Sequence, residues 1–379
     1  MATTDARGRL VLDDRVAVGR LSIEGGRIVA VEVEEPGSRA FGDELPFVAP
    51  GFVDVHVHGW GGHAAMGDRA ALDGMARALL RRGVTSFLPT AVSAPLAELA
   101  SFAGRVRDWL PTAPPDGAEP LGINLEGPFL APSRRGAHAE AFLRVPADVP
   151  PASIGPLVDD LRVITIAPEL PGAIDLIRSL AAGGVAVSLG HSAATLAEAR
   201  AGYDAGATTT THLFNAMSGV DHRAPGLAVA ALLDDRAYVE LIADGVHVDR
   251  ALWPLVRRLK PPDRLVLVSD ALPLAGTGDG RGRIGGLEVE VAGSRATLAG
   301  TTTLAGSVIA LDTAVRNLVG EGVPVPDAVA AASRNPLALL GMTDRGRLAV
   351  GQRADLVELD GDVRVRRVMR RGEWFAADG

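Results

Sequence analysis

The sequence predicts an α/β fold: a (β/α)8 TIM barrel with a small β-sandwich domain built from both chain ends. Three observations predict it. The middle of the chain alternates strand-like and helix-like stretches, with eight strand-like runs. Both ends are instead rich in short strands and turns. Histidines and acids fall at the ends of at least five separate strands, whereas a doubly wound sheet would gather its ligands at one switch point.

Taken in order, the region from about Arg9 to Val48 reads as Leu10–Leu12, Val16–Val18 and Leu21–Val33, the last turning at Gly25-Gly26. The eight central runs are Phe52–Val57, Ser86–Thr90, Leu121–Glu126, Val163–Ala167, Val185–Gly190, Thr208–His212, Val239–Asp244 and Leu265–Asp270. Helical stretches such as Ala70–Arg82 and Ala193–Tyr203 separate them. Pro111–Pro120 reads as a surface connector. Gly280–Gly306 breaks the alternation and reads as an inserted hairpin and loop, with strands at Leu287–Val291 and Ala296–Leu298. Gly346–Leu359 and Val363–Phe375 return to the texture of the N-terminal end. The expected division is residues 1–49 plus 345–379 for the small domain and 50–344 for the barrel.

A chain of 379 residues is long enough for one large barrel and a companion domain. Its 47% hydrophobic and 22% charged residues fit a globular enzyme. The net charge of −8 disfavours nucleic acid and anionic membrane, so an anionic substrate must be caught by local Arg or His. The absence of cysteine excludes disulfides, thiolate nucleophiles and Cys-based zinc sites. Met1–Arg9 lacks the apolar core of a signal peptide, and no apolar run approaches the roughly 20 residues of a spanning helix. The expectation is a cytoplasmic protein.

All eight histidines lie between His56 and His247. Asp54, His56 and His58 alternate on the first barrel strand, and two imidazoles on one face can bind one ion; an isolated His-x-His can equally cap a strand. Glu126 ends the third strand before a Gly-Pro turn, and His191 and His212 end the fifth and sixth. Singly, each has a bland reading, a rim salt bridge or a core histidine. Together they make a His/carboxylate donor set for a hydrolytic metal centre. Asp270, ending the last strand, can take a proton from water and pass it to a leaving group, or serve as a ligand or helix cap. The single lysine, Lys260, ends a helix on the wrong face of a barrel, so any ligand bridging two ions must be a carboxylate, with Glu126 the candidate. His138 can polarise a carbonyl oxygen, and Arg223 offers a donor fork suited to phosphate. His247, Asn215 and Ala216 lie on loops where they can face a ligand. His63 and His222 read as loop histidines without a role.

By these motifs the chain resembles the N-acetylglucosamine-6-phosphate deacetylase family of the amidohydrolase superfamily. The matching strings are A-P-G-F-V-D-V-H-V-H-G over Ala49–Gly59, L-E-G-P-F over Leu125–Phe129, R-G-A-H over Arg135–His138, L-G-H-S over Leu189–Ser192 and T-H-L-F-N-A-M over Thr211–Met217. They continue as A-P-G-L over Ala224–Leu227, I-A-D-G-V-H-V over Ile242–Val248, V-S-D-A over Val268–Ala271 and L-A-G-S over Leu304–Ser307. They run in family order over nearly the whole chain.

The resemblance implies that Glu126, His191 and His212 hold one divalent ion (zinc, iron, manganese or cobalt). Because His56 and His58 are both present, it implies a second ion shared through Glu126 and approached by Asp270. It places His138 on the acetamide carbonyl. Asn215, Ala216, Arg223 and His247 would hold the sugar and its phosphate, Arg223 in its own or the neighbouring subunit of a homodimer. Leu304 and Ala305 would form a substrate-side wall, and residues 131–135 have no matched role. The implied reaction is metal-assisted hydrolysis of the amide of an amino sugar phosphate, Asp270 moving the proton. A galacto or manno epimer as substrate is the first alternative, and a non-catalytic scaffold on the same fold the second.

Overall fold

The computed structural model describes residues 4–34 and 44–377. Eight parallel strands follow one another in simple sequential order in one sheet, with the two-residue strand Glu119–Pro120 paired beside the second: Phe52–Val57, Val84–Val92, Ile123–Glu126, Leu161–Ile166, Ala186–Leu189, Thr209–Thr210, Tyr238–Leu241 and Leu265–Leu267. They coincide with the eight expected runs. Beyond the last strand, Asp270 N–H donates to His56 O (2.9 Å) and His58 N–H to Ala271 O (2.9 Å), which joins strand eight to strand one and closes the barrel. Helices cover the outside. That of Arg69–Leu80 turns Leu72, Met75, Ala76, Leu79 and Leu80 inward and is capped by Asp68, whose Oδ1 accepts from Ala71 N–H (2.9 Å). The helix expected from Ala193 begins at Leu196, because Thr195 and Glu198 form a capping box.

Part of the barrel interior is an apolar layer. Val53, Val55, Leu88, Val163, Ala186, Val266 and Val268 come from strands on different sides of the barrel and form one buried cluster. The expected alternation along the first strand is interrupted. Its pairing with strand two slips between Phe52 and Val53 and again between Asp54 and Val57, and this irregularity re-aims side chains at the rim.

Strands from both chain ends share one sheet of seven, ordered Glu373–Ala376, Val365–Arg370, Leu356–Leu359, Phe47–Pro50, Thr4–Val11, Val16–Glu24, Arg27–Val33. Ile28 N–H donates to Gln352 O and Ala354 N–H to Gly26 O, which folds the sheet over a core of Leu10, Leu21, Ile23, Leu356 and Met369. This is the small β-sandwich. Residues 35–43 of the expected strand-rich region, like 1–3 and 378–379, lie outside the described residues.

Two expectations are corrected, and the one for Lys260 holds. The insertion is a three-stranded meander, Gly280–Ile284, Leu287–Ala292 and Arg295–Leu298, one strand more than a hairpin. Its glycine-rich first strand hid the strand signal. The Pro-rich connector is not merely surface: Ala118 is fully buried, and Arg370 Nη1 donates to Pro114 O and Pro115 O, both at 2.8 Å. Glu119 then faces Arg345 (3.1 Å), Arg353 (2.6 Å) and Arg371 (3.3 Å), a junction between connector and small domain. Lys260 is buried, as a clamp outside the barrel: its Nζ donates to Ala231 O (3.1 Å) and Asp234 O (2.6 Å) at the end of a neighbouring helix.

Candidate metal centre

His56 lies in the first strand with His58 just beyond its end, and Glu126 ends the third. His191, His212 and Asp270 follow the fifth, sixth and eighth by two or three residues. All are buried. They meet around the carboxylate of Glu126. Its Oε1 lies 2.9 Å from His212 Nε2, 3.0 Å from His191 Nε2 and 3.5 Å from His56 Nε2. Its Oε2 lies 3.2 Å from His58 Nε2 and 3.1 Å from His138 Nε2. Asp270 Oδ1 stands 3.2 Å from His58 Nε2 and 3.6 Å from His56 Nε2. Two overlapping triads, His56/His58/Glu126 and Glu126/His191/His212, have the spacing to hold an ion.

The other ring nitrogens sort these histidines by role. His58 Nδ1 faces Thr90 O (3.1 Å) and His191 Nδ1 faces Arg134 O (2.8 Å). A carbonyl only accepts, so each Nδ1 carries a proton, and in the neutral ring each Nε2 presents a lone pair inward. His56 Nδ1 faces the carboxylate of Glu240 at 3.1 Å with the same result. His138 is the opposite. Its Nδ1 accepts from Ser93 N–H (3.1 Å), so the proton sits on Nε2 and points at the site. Four of the five imidazoles around the carboxylate are thereby set in two tautomers, three offering lone pairs and His138 offering a donor. His212 Nδ1 is buried with no hydrogen-bond partner among the described residues.

A cation fits this arrangement on the chemistry of the donors. Among the described residues His56 Nε2 is buried with no hydrogen-bond partner, and His191 Nε2 and His212 Nε2 converge to 3.0 Å, a crowding of nitrogens that a shared ion relieves. Burial pushes the His191 imidazole down to about 4, so this ring is neutral and ready to ligate. Burial also opposes a charge on His58, yet hydrogen bonds to Asp270 and Glu126 push it up to about 9. Burial opposes the charge on Asp270 too, but the His58 hydrogen bond and the charges on His56 and His58 together outweigh it, leaving the carboxyl at about 2. Without an ion, the acids of the cluster recruit protons onto its bases.

Local backbone is strained here. Among the described residues, His191 (φ 46°), His212 (28°), Phe214 (77°), Ala216 (48°) and Asp270 (50°) all occupy the left-handed region without being glycine. Gly127, after Glu126, also has positive φ (96°), and a Cβ there would collide with Ser93 Oγ, so only glycine suits the turn that sets Glu126.

A cavity of about 340 Å³ opens over the cluster, lined by His58, Glu126, His138, His191, His212 and Asp270. Asn215, Ala216, His247, Leu304 and Ala305 also line it. The Asn215 amide donates to His212 O and Leu213 O (both 3.2 Å). Arg223 is exposed and does not line the cavity of its own chain. His63 packs against Gly74 of the first helix, and His222 is exposed. The sequence reading missed four residues. Glu240 orients His56 and accepts from His212 N–H (3.2 Å). Ser93 sets the His138 tautomer. Asp244 Oδ2 holds His247 Nδ1 at 2.7 Å. Arg134 stands in the cavity wall. Only Glu240 carried a signal in the sequence: an acid inside the apolar run of a central strand must be paired, because burying it alone is costly.

A model of the amidohydrolase family matches residues 47–375. The chain is 42% identical to the N-acetylglucosamine-6-phosphate deacetylase of Bos taurus, over 93% of this chain and 90% of that protein. It is 39% identical to an N-acetylgalactosamine-6-phosphate deacetylase of Escherichia coli, over 96% of this chain and 95% of the relative. A solved structure of a variant N-acetyl-D-glucosamine-6-phosphate deacetylase from Mycobacterium smegmatis, in complex with N-acetyl-D-glucosamine 6-phosphate, superposes with a TM-score of 0.90 at 37% identity, covering 99% of each chain.

Proposed function

This chain belongs to the amidohydrolase family, and from that premise we propose that it hydrolyses the acetamide of N-acetylglucosamine 6-phosphate to glucosamine 6-phosphate and acetate. It is a hydrolase of carbon–nitrogen bonds, and its (β/α)8 barrel presents one rim cavity suited to that chemistry. The observation that carries the reading is the pairing across one carboxylate: inward lone pairs on His56, His58 and His191, and an inward N–H on His138.

Glu126, His191 and His212 are assigned to one divalent cation, and His56 and His58, sharing Glu126, to a second. Zinc, iron, manganese and cobalt all suit this donor set. A bound cation supplies Lewis acidity towards water and towards the amide carbonyl. Asp270, ionised throughout the physiological range, accepts the proton of the attacking water and delivers it to the departing amine. His138 donates its Nε2–H to the carbonyl oxygen as negative charge develops there. Asn215, Ala216 and His247 hold the sugar and phosphate away from the reacting carbon, with Leu304 and Ala305 as a wall, so binding energy orients the amide. Arg223, exposed and not among the residues lining its own cavity, is assigned to the site of a partner in a homodimer. The enzyme acts in the cytoplasm on a small soluble substrate.

A second substrate, N-acetylgalactosamine 6-phosphate, is favoured by the similarity to the Escherichia coli relative. One assay decides: acetate release from the gluco, galacto and manno N-acetylhexosamines, with and without the 6-phosphate, before and after chelation. The expected result is phosphate-dependent release that chelation abolishes and a divalent metal restores. Release indifferent to chelation, or from unphosphorylated sugars alone, would refute the assignment.

A further inference from the structure

Beside the main cavity lies a smaller one of about 90 Å³, which nothing in the chemistry above uses. His58, Val92 and Ile284 line both, so the two adjoin there. The rest of the smaller cavity is bounded chiefly by Ala64, Met66 and Pro273. Its roof is the turn of the inserted meander. Gly285 there has φ 53°, and a Cβ on it would come within 2.8 Å of Val92 Cγ2, so the turn lies flush on the end of strand two. Polar groups at the walls are engaged elsewhere. Thr90 O faces His58 Nδ1 (3.1 Å), Thr90 Oγ1 accepts from Val57 N–H (2.9 Å), and Arg283 Nη2 donates to Gly286 O (2.9 Å). What remains facing the space is mostly hydrocarbon.

Its position matters as much as its lining. Asn215, Ala216 and His247 reach the main cavity from the loops after strands six and seven. The side cavity lies under the segments after strands one, two and eight, a different sector of the rim. At a planar amide carbon the nitrogen, which leads to the sugar, and the acyl substituent diverge. With the sugar towards strands six and seven, the sector past His58, where the smaller cavity adjoins, is left for the acyl substituent.

We propose that this side cavity is an acyl subsite, receiving the hydrocarbon tail of N-acyl groups longer than acetyl on the amino sugar phosphate. This rests on the function proposed above. The step is unchanged in balance. Water adds its oxygen to the acyl carbon, the C–N bond breaks, the amine takes the proton, and a longer carboxylate leaves in place of acetate. Holding one water takes about 10–15 Å³, so the volume admits a few carbons, and water in an apolar pocket with few polar partners is readily displaced.

The test measures kcat/KM of the metal-loaded protein for N-acetyl-, N-propionyl- and N-butyrylglucosamine 6-phosphate, read as free amine. The longer acyl groups are expected within about tenfold of acetyl, the scale of one methylene in an apolar pocket. Ala64→Leu, which fills the side cavity, should lower the butyryl-to-acetyl ratio about tenfold or more, and Met66→Ala should raise it. Acetyl turnover should change little in either variant, whereas a general structural fault would lower all three substrates alike. Acetyl hydrolysis with butyryl slower by more than about a thousandfold, or a ratio that neither variant moves, would overturn the subsite. Failure on every substrate with metal bound would instead overturn the underlying function, and the subsite with it.

Discussion

At the scale of single residues, the proposed chemistry depends on two groups facing each other across Glu126. Asp270 is held ionised by His58 and sits on a left-handed backbone that a relaxed loop would not choose. Asp270→Asn keeps the shape and removes the proton acceptor. Turnover is expected to fall by about 10²–10⁴ or more, with metal content by elemental analysis near wild type. Near-native turnover in that variant would refute its role. His138 was legible in the sequence as a loop histidine near the Glu126 segment. That its proton lies on Nε2 was not, because the tautomer is set by a backbone N–H from Ser93, 45 residues away in sequence.

At the scale of elements, strand seven does more than complete the barrel. Glu240 in its middle reaches His56 on strand one and the backbone of His212 after strand six, so one carboxylate ties three segments of the rim together. Glu240→Gln keeps the volume and one acceptor but weakens the hold on His56 Nδ1. Metal affinity, measured by competition with a chelator, should drop about 10–100-fold while the circular dichroism spectrum stays the same. Unchanged affinity would mean that Glu240 merely fills space. The eight strands and the first helix were readable because apolar patterning is local. The register slips of the first strand and the third strand of the meander were not, since both arise from contacts between distant segments.

At the scale of the whole molecule, the two chain ends must be fastened to a barrel that lies between them in sequence. Glu119 does part of this, set among Arg345, Arg353, Arg370 and Arg371. Burial opposes its charge, but Arg345 and Arg353, then Arg371 and Arg370, hold its carboxyl below the usual value. A depressed carboxyl contributes stability that is present above the unfolded value near 4.5 and is lost as pH falls through the folded one. Glu119→Ala leaves buried guanidinium groups short of a partner and should cost about 3 kcal/mol near neutral pH. In calorimetry the gap between wild type and variant should hold steady above about pH 6 and narrow as pH falls below about 4.5. A gap constant with pH would show that the loss is one of packing rather than charge.

Local pattern alone determined the eightfold alternation, the strand-rich ends, and the residue types of a His/carboxylate centre. These need only the spacing of apolar side chains and the chemistry of imidazole and carboxylate. Tertiary structure decided the rest: that Glu126 stands between two triads, that His138 donates where its neighbours present lone pairs, that Arg223 leaves its own cavity, and that a second cavity adjoins the first. The reason is physical. A ring's proton and a cavity's volume are fixed by what lies across the barrel, and barrel closure sets that distance without leaving a mark in any neighbouring stretch of chain.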